Sequence, residues 1–266
     1  MIPELRPRGI GEILDAAVSL YRARFWLLVR YAALVVVPVQ LFLTLVLLSA
    51  QPDSFSLAVN GNAAPQFDTS RAQLGATVVV LLAGWVTSSL VEAVTARIVA
   101  DSYVGSAEAP STAARTAARR ILTVLAVGLL VGVCQVAGLF LCFVGALAVR
   151  ALFAVAVPAV ILERKRVFSS MGRSIELTRN HFWHALGVVV AAMLIGALLN
   201  AALASALNIW SARGGSASAI VVTQGVVNII ASCITTPFVA AVAVALYFDL
   251  RIRDEAFDVQ LAMAAA

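Results

Sequence analysis

Six long apolar runs, separated by short polar stretches, decide what this chain can fold into. They are Phe25 to Ala50, Leu74 to Ala100, Ile121 to Leu141, Ala146 to Leu162, Phe182 to Ile209 and Ala219 to Leu250. A helix needs about 20 mostly apolar residues, in a range of about 17–25, to cross the hydrocarbon core of a bilayer. Every run meets that requirement. Hydrophobic residues make up 62% of the chain and charged residues 12%, with a mean hydropathy of +0.97. A soluble fold of this length has no interior large enough to hide so much apolar surface. The chain therefore reads as an all-α integral membrane protein: one polytopic domain over residues 1–266, with six transmembrane helices and a tail from residue 251 to 266.

The basic residues orient it. Fifteen of the 19 Lys and Arg residues fall on one side of the six spans. They are Arg6, Arg8, Arg22, Arg24, Arg30, Arg115, Arg119, Arg120, Arg164, Lys165, Arg166, Arg173, Arg179, Arg251 and Arg253. The other side has Arg71 and Arg213, and Arg97 and Arg150 lie within spans. By the positive-inside rule both termini are expected to be cytoplasmic. An even number of spans requires both ends on one side, so the two readings agree. The net charge of +5 is then orienting charge held against anionic headgroups of the inner leaflet, and it implies no nucleic-acid partner. The expected partners are membrane lipids. The segment before the first span is long and carries acids, so it does not read as a secretory leader.

Two amphipathic stretches precede spans. Residues 9–24 follow the break Arg6-Pro7-Arg8-Gly9. There Ile10, Ile13, Leu14, Ala17 and Tyr21 share one helical face, and Glu12, Asp15, Ser19 and Arg22 the other. Such a helix lies in the cytoplasmic headgroup plane or packs on neighbouring cytoplasmic segments. The second stretch runs from Val167 to Asn180, where Met171, Ile175, Thr178 and Phe182 form the apolar face. Leu20-Tyr21-Arg22-Ala23-Arg24-Phe25-Trp26 and Leu177-Thr178-Arg179-Asn180-His181-Phe182-Trp183 repeat Leu, Arg, Phe and Trp at the same places. The even-numbered spans end alike, at Ala100-Asp101, Leu162-Glu163 and Phe248-Asp249. A short Arg-bearing helix, Thr112 to Arg120, precedes the third span. We read three repeats of an interfacial helix followed by a transmembrane hairpin.

The connections are short. Gln51 to Ser70 and Ser211 to Ser218 are rich in turn-forming residues and read as external loops. Between the third and fourth spans the chain turns within Leu141 to Gly145, with Gly145 as the hinge. Pro38, Pro158 and Pro237 are expected to kink three spans, with Thr235 and Thr236 bonding carbonyls freed by Pro237.

Three stretches resemble a known family. Gly11 to Arg22 (GEILDAAVSLYR) is similar to the opening of many bacterial, notably actinobacterial, multi-span proteins. Pro158 to Glu163 (PAVILE), followed by a helix with Arg173-Ser174, is similar to their middle. Tyr247 to Asp258 (YFDLRIRDEAFD) is similar to their ending. Together they resemble the membrane domain attached to some glycerophosphodiester phosphodiesterases and its free-standing relatives, over essentially the whole chain. In the two-domain members a catalytic barrel follows the membrane part. Such a barrel takes about 250 residues, and little sequence follows Asp258 here. The resemblance therefore implies the membrane architecture and a lipid or envelope setting, without the hydrolase.

The chemistry-bearing residues are few. Glu92 in the second span and Arg150 in the fourth stand about 12 and 18 Å from the cytoplasmic ends of their helices. A lone charge at the centre of a span costs about 2.5–3.5 kcal/mol on insertion scales. The expectation is one ion pair, serving either as a structural bridge or as part of a polar cavity. Arg97, nearer the interface, is expected to snorkel. Gln135, Asn200, Asn208, Gln224 and Asn228 add intramembrane amides, of which Gln135 and Asn228 are the candidates for the same cavity, together with Arg97. Gly128 and Gly132 offer a small-residue helix contact. His181 and His184 lack the companions a zinc site needs and fit an aromatic belt. Cys134, Cys142 and Cys233 read as packing residues. No cofactor and no catalytic cluster is expected. The functional expectation is a non-enzymatic protein that assists or organises lipid or envelope processes, with a protein partner. The alternatives are a small transporter or lipid flippase using the Glu92 and Arg150 cavity, and a membrane-embedded enzyme acting on glycerophospholipid.

Overall fold

The computed structural model describes residues 8–50, 71–104, 120–140, 142–211 and 217–255. Among these residues nine helices follow one another and no strand occurs. They are α1 (Ile10–Ala23), α2 (Phe25–Ala50), α3 (Arg71–Val104), α4 (Ile121–Phe140), α5 (Cys142–Leu152), α6 (Ala156–Leu162), α7 (Val167–Arg179), α8 (Phe182–Ser211) and α9 (Ala217–Glu255). The loop Gln51 to Ser70, nearly all of the helix expected at Thr112 to Arg120, the core of the turn Ser211 to Ser218 and the chain beyond residue 255 lie outside the described residues. Six segments are long and apolar enough to cross a membrane: Phe25–Leu45, Leu82–Ala100, Ile121–Gly138, Val144–Leu162, Phe182–Leu203 and Val222–Asp254. They match the six apolar runs one for one.

Burial alternates along these spans. In the first, third and fifth, 22, 17 and 22% of the most apolar stretch is buried; in the second, fourth and sixth, 39, 44 and 61%. The even-numbered spans are therefore the inner helices of the bundle. Small residues allow them to meet, with Ala93, Ala96, Ala100, Ala156, Ala159, Ala240, Ala241 and Ala245 all buried. Each odd-numbered span packs between its own hairpin partner and the inner helix of the preceding hairpin. Thus α2 lies against α3 and α9, α4 against α5 and α3, and α8 against α9 and α5. That cyclic rule is what three repeated hairpins give when they close into a ring. Local geometry repeats too. Phe25 and Trp26 meet edge to face at 5.4 Å and 74°, Phe182 and Trp183 at 5.5 Å and 73°. Trp26 and Trp183 are 80% and 79% exposed, as befits an interfacial aromatic belt.

At the end of the bundle that carries Arg8 and Arg253, here the near end, two buried or half-buried carboxylates tie the elements together. The Asp249 carboxylate, 3% exposed, accepts hydrogen bonds from the backbone N–H of Arg8 at 2.7 Å and from Arg253 Nε at 2.7 Å. It also meets His184 Nε2 at 3.1 Å. Glu163 accepts from the Tyr247 hydroxyl at 2.7 Å and pairs with Lys165 at 3.0 Å and Arg173 at 3.2 Å. Burial works to raise the Glu163 pKa, but the bonds from Tyr247, Lys165 and Arg173 outweigh it and hold the carboxyl below its ordinary value. Lys165 reaches back because Arg164 takes a left-handed backbone conformation, φ 55°. His181 Nε2 lies 3.3 Å from Asp254. The histidines read as belt residues thus face carboxylates.

Four expectations change. The fourth span is two helices, broken at residues 153–155. Pro158 explains the restart: it lacks an N–H and is tolerated in the first turn of α6. The shift of bonding from i−4 to i−3, Ala154 to Ala151 and Ala156 to Phe153, frees the Leu152 carbonyl. The Ser174 hydroxyl, fully buried on α7, donates to that carbonyl at 2.7 Å. This accounts for the second change. The buried face of α7 is Ser170, Ser174, Leu177 and Thr178; of the expected apolar stripe Thr178 belongs to it, while Ile175 is 38% exposed. Third, Gly145 lies within α5 rather than at the turn. A Cβ on Gly138 would come within 2.9 Å of the Gly145 carbonyl oxygen, so both positions serve close helix approach. Fourth, Thr235 donates to the Ala231 carbonyl, one turn back, and not to the Cys233 carbonyl that Pro237 leaves without its N–H donor. Nearby the Tyr21 hydroxyl donates to the Ile234 carbonyl at 2.8 Å, and burial pushes its pKa up to about 12. Ile13, Ala17 and Tyr21 are buried and α1 packs on α9 and α8. The part of its apolar face around Ile13, Ala17 and Tyr21 is therefore taken up by the fifth and sixth spans, while Ile10 is exposed.

Candidate functional site: an intramembrane cavity

The break in the fourth span shapes the interior. Helix α6 packs against α3 in the centre, but α5 leans outward onto α4 and α8. The space left between α5 and the inner helices α3 and α9 is a cavity of about 950 Å³. Its walls are mostly apolar, supplied by residues such as Val131, Val157, Val189, Val242 and Leu246. Its polar groups are Glu92, Ser88, Ser89 and Trp85 from α3, Gln135 from α4 and Arg150 from the last turn of α5.

Three of the five sequence candidates therefore line one cavity: Glu92, Arg150 and Gln135. Arg97, half-buried on α3, and Asn228 do not line it. Asn228 is exposed on α9 and accepts a hydrogen bond from Gln224 at 3.2 Å. Asn200 donates to Gly196 in its own helix. Asn208 lies outside the residues whose side chains are described. The amides that were alike in sequence separate because only α4 turns its Gln135 face toward the gap.

The expected ion pair is absent. Arg150 acts on the Glu92 carboxyl electrostatically, yet among the described residues neither forms a salt bridge or hydrogen bond. Two close approaches give the reason. Gly128 of α4 sits against Ser89 and Trp85 of α3, and Gly138 of α4 against Gly145 of α5. This register sets Arg150 level with Val133 and Glu92 level with Leu125 on α4. Eight residues at 1.5 Å each separate those levels by about 12 Å. The sequence estimate of about 6 Å assumed an unbroken fourth helix counted from Leu162.

One further group belongs to this site that the sequence did not single out as chemistry, the indole of Trp85. Trp85 Nε1, like Gln135 Nε2, is a buried N–H donor with no hydrogen-bond partner. Buried donors in native proteins almost always find one, and an orphan within a spanning segment is costly. The Trp85 ring reaches its place only because position 128 is glycine: a Cβ there would lie 2.5 Å from Ser89 Oγ and 2.7 Å from Trp85 Nε1. The sequence signal was the Gly128–Gly132 pair, read as a helix contact. Gly132 has open space around its Cβ direction instead. Among the described residues no group of three His, Cys, Asp or Glu is placed to hold a metal.

No family model, curated protein or solved structure matches the chain. The site has to be read from its own geometry.

Proposed function

We propose that the chain is a non-enzymatic lipid-handling protein of a bacterial inner membrane, with both termini cytoplasmic, that takes an amphiphile into this cavity to shelter it or move it. One observation carries the reading. Glu92 and Arg150 stand apart in a cavity large enough for a ligand, where a sealed structural bridge would hold them in contact. Cavities of about 300–1,000 Å³ with apolar walls and a few polar groups are the usual form of a ligand site. Unpaired charge within spans marks pathways and binding sites more often than packing. A broken span beside the site is a feature of transporters. The resemblance to the membrane domain of glycerophosphodiester phosphodiesterases points to the same glycerolipid setting. The orientation rests on the basic residues at the near end and on the exposed Trp26, Trp183 and Phe168 beside them.

The test is retention of lipid. The chain is extracted from membranes in polymer-bounded nanodiscs, released, and weighed intact by native mass spectrometry. One phospholipid should stay with each chain under conditions that strip annular lipid. Gly132→Leu places a side chain in open space at the cavity wall and should displace it. Equal retention by both proteins, or none by either, rejects the cavity as a lipid site.

A further inference from the structure

The cavity presents more than generic polarity, and its polar groups are arranged by charge. We infer that its ligand is a zwitterionic phospholipid of the phosphoethanolamine type, held with its phosphate toward Arg150 and its ammonium toward Glu92. This rests on the lipid-handling reading above and names the headgroup for that same site.

The donors gather toward one end of the cavity and the acceptor toward the other. Arg150 carries five N–H groups and no acceptor, and it lines the cavity with no partner among the described residues. In the register fixed by Gly128 and Gly138, Gln135 lies within two residues of the Arg150 level, and its orphaned Nε2 donor joins the guanidinium at the outer part of the cavity. The orphaned Trp85 Nε1 lies beside Gly128 and Ser89, between that end and Glu92. Arg150 and Gln135 together ask for an acceptor of negative charge. A phosphodiester, with two anionic oxygens and planar access for a guanidinium, meets that demand better than a carbonyl or a hydroxyl.

Glu92 stands deeper, beside Ser88 and Ser89. It is the only carboxylate lining the cavity among the described residues. An anionic lipid without a cation would leave this carboxylate opposite its own charge. A primary ammonium, with three donors, answers the carboxylate and the serine hydroxyls together. The levels of Glu92 and Arg150 differ by about 12 Å, which leaves room between them for a phosphate joined to an ammonium through two carbons. The acyl chains have an apolar exit along α4, where Leu129, Val133 and Val136 line the cavity and are exposed.

The experiment offers the purified chain, in detergent with its lipid removed, two probes with the same acyl chains: phosphatidylethanolamine and phosphatidylglycerol. Binding is read by native mass spectrometry as the ratio of lipid-bound chain. A charge-assisted hydrogen bond to a carboxylate is worth about tenfold in affinity or more, so the ethanolamine lipid should bind at least about tenfold tighter. Glu92→Gln should abolish the preference by weakening the ethanolamine lipid, with the glycerol lipid bound as well as before or better. Arg150→Gln should weaken both. If the unaltered chain binds both lipids equally, the zwitterion inference fails and the cavity remains a lipid site. If it binds neither, the lipid-handling reading falls with it. The comparison of two lipids on the unaltered chain keeps the inference exposed even if a variant fails to fold.

Discussion

Tyr247 and Glu163 are 84 positions apart in the chain and meet through one hydrogen bond of 2.7 Å. Both lie in stretches that carry the family resemblance, so the sequence marked each of them. It could not mark the pairing, because periodicity assigns a residue to a face and says nothing about the partner opposite. The candidate site shows the same limit. Glu92, Arg150 and Gln135 were legible as unusual residues in apolar runs, but Trp85 looked like ordinary membrane composition, and only its unpartnered N–H sets it apart. The contacts at Glu163 have a consequence with a definite sign. A carboxyl whose folded pKa is depressed stabilises the fold above its unfolded value, and that stability is lost as pH falls through the folded value. With an unfolded value of about 4.3, melting temperature should be flat near neutral pH and fall below about pH 5. Glu163→Gln, melted in detergent across that range, should lose stability at pH 7 and show a shallower acid slope. An unchanged slope removes Glu163 from the acid response.

At the scale of elements, helix identity was the legible part. The apolar runs gave six spans, and the amphipathic stretches gave α1 and α7, with ends within a few residues. The break between α5 and α6 was not legible. Pro158 promised a kink, but whether a span bends or divides depends on what satisfies the freed carbonyls. Here the answer lies 22 positions away, in Ser174. That is also why the stripe read for α7 was incomplete. Ser174 is buried because it meets the Leu152 carbonyl and Ser170 turns its hydroxyl back to Val167 in its own helix, and hydropathy scores both residues as exposed. Ser174→Ala should therefore destabilise the protein by about 1–3 kcal/mol, the usual result of leaving a buried carbonyl unpaired. Ser169→Ala, on the exposed side of α7, should change little. Thermal melting of the two variants side by side checks this, and equal melting temperatures would show that the break does not depend on the α7 hydroxyl. Gly128→Ala offers a second check within α4. Its methyl must displace Ser89 and Trp85, so lipid retention should fall with it.

For the whole molecule, three hairpins arranged in a ring make one inner helix from each, and the inner helices differ in one respect. The second and sixth spans are continuous and pack tightly together, while the fourth divides and leans away. The division of the fourth span is thus what opens the cavity. The four matched residues before the first and fifth spans share one environment, an exposed Trp beside an edge-on Phe at the near end. That end is also where Lys165, Arg173, Arg251 and Arg253 gather around Glu163, Tyr247 and Asp249. Basic residues gathered at one end of an even-numbered bundle favour leaving that end in the cytoplasm, because translocating several arginines across a membrane is costly. Single cysteines on a cysteine-free background report this directly with an impermeant maleimide. A cysteine at Ser169, exposed on α7, should react only after the membrane is opened. One at Ser56, in the loop between the first two spans, should react in intact cells. Reaction of the first and protection of the second in intact cells would invert the molecule. Arg150 and its donors would then lie toward the cytoplasmic leaflet, and any lipid taken up phosphate-first would have to enter from there.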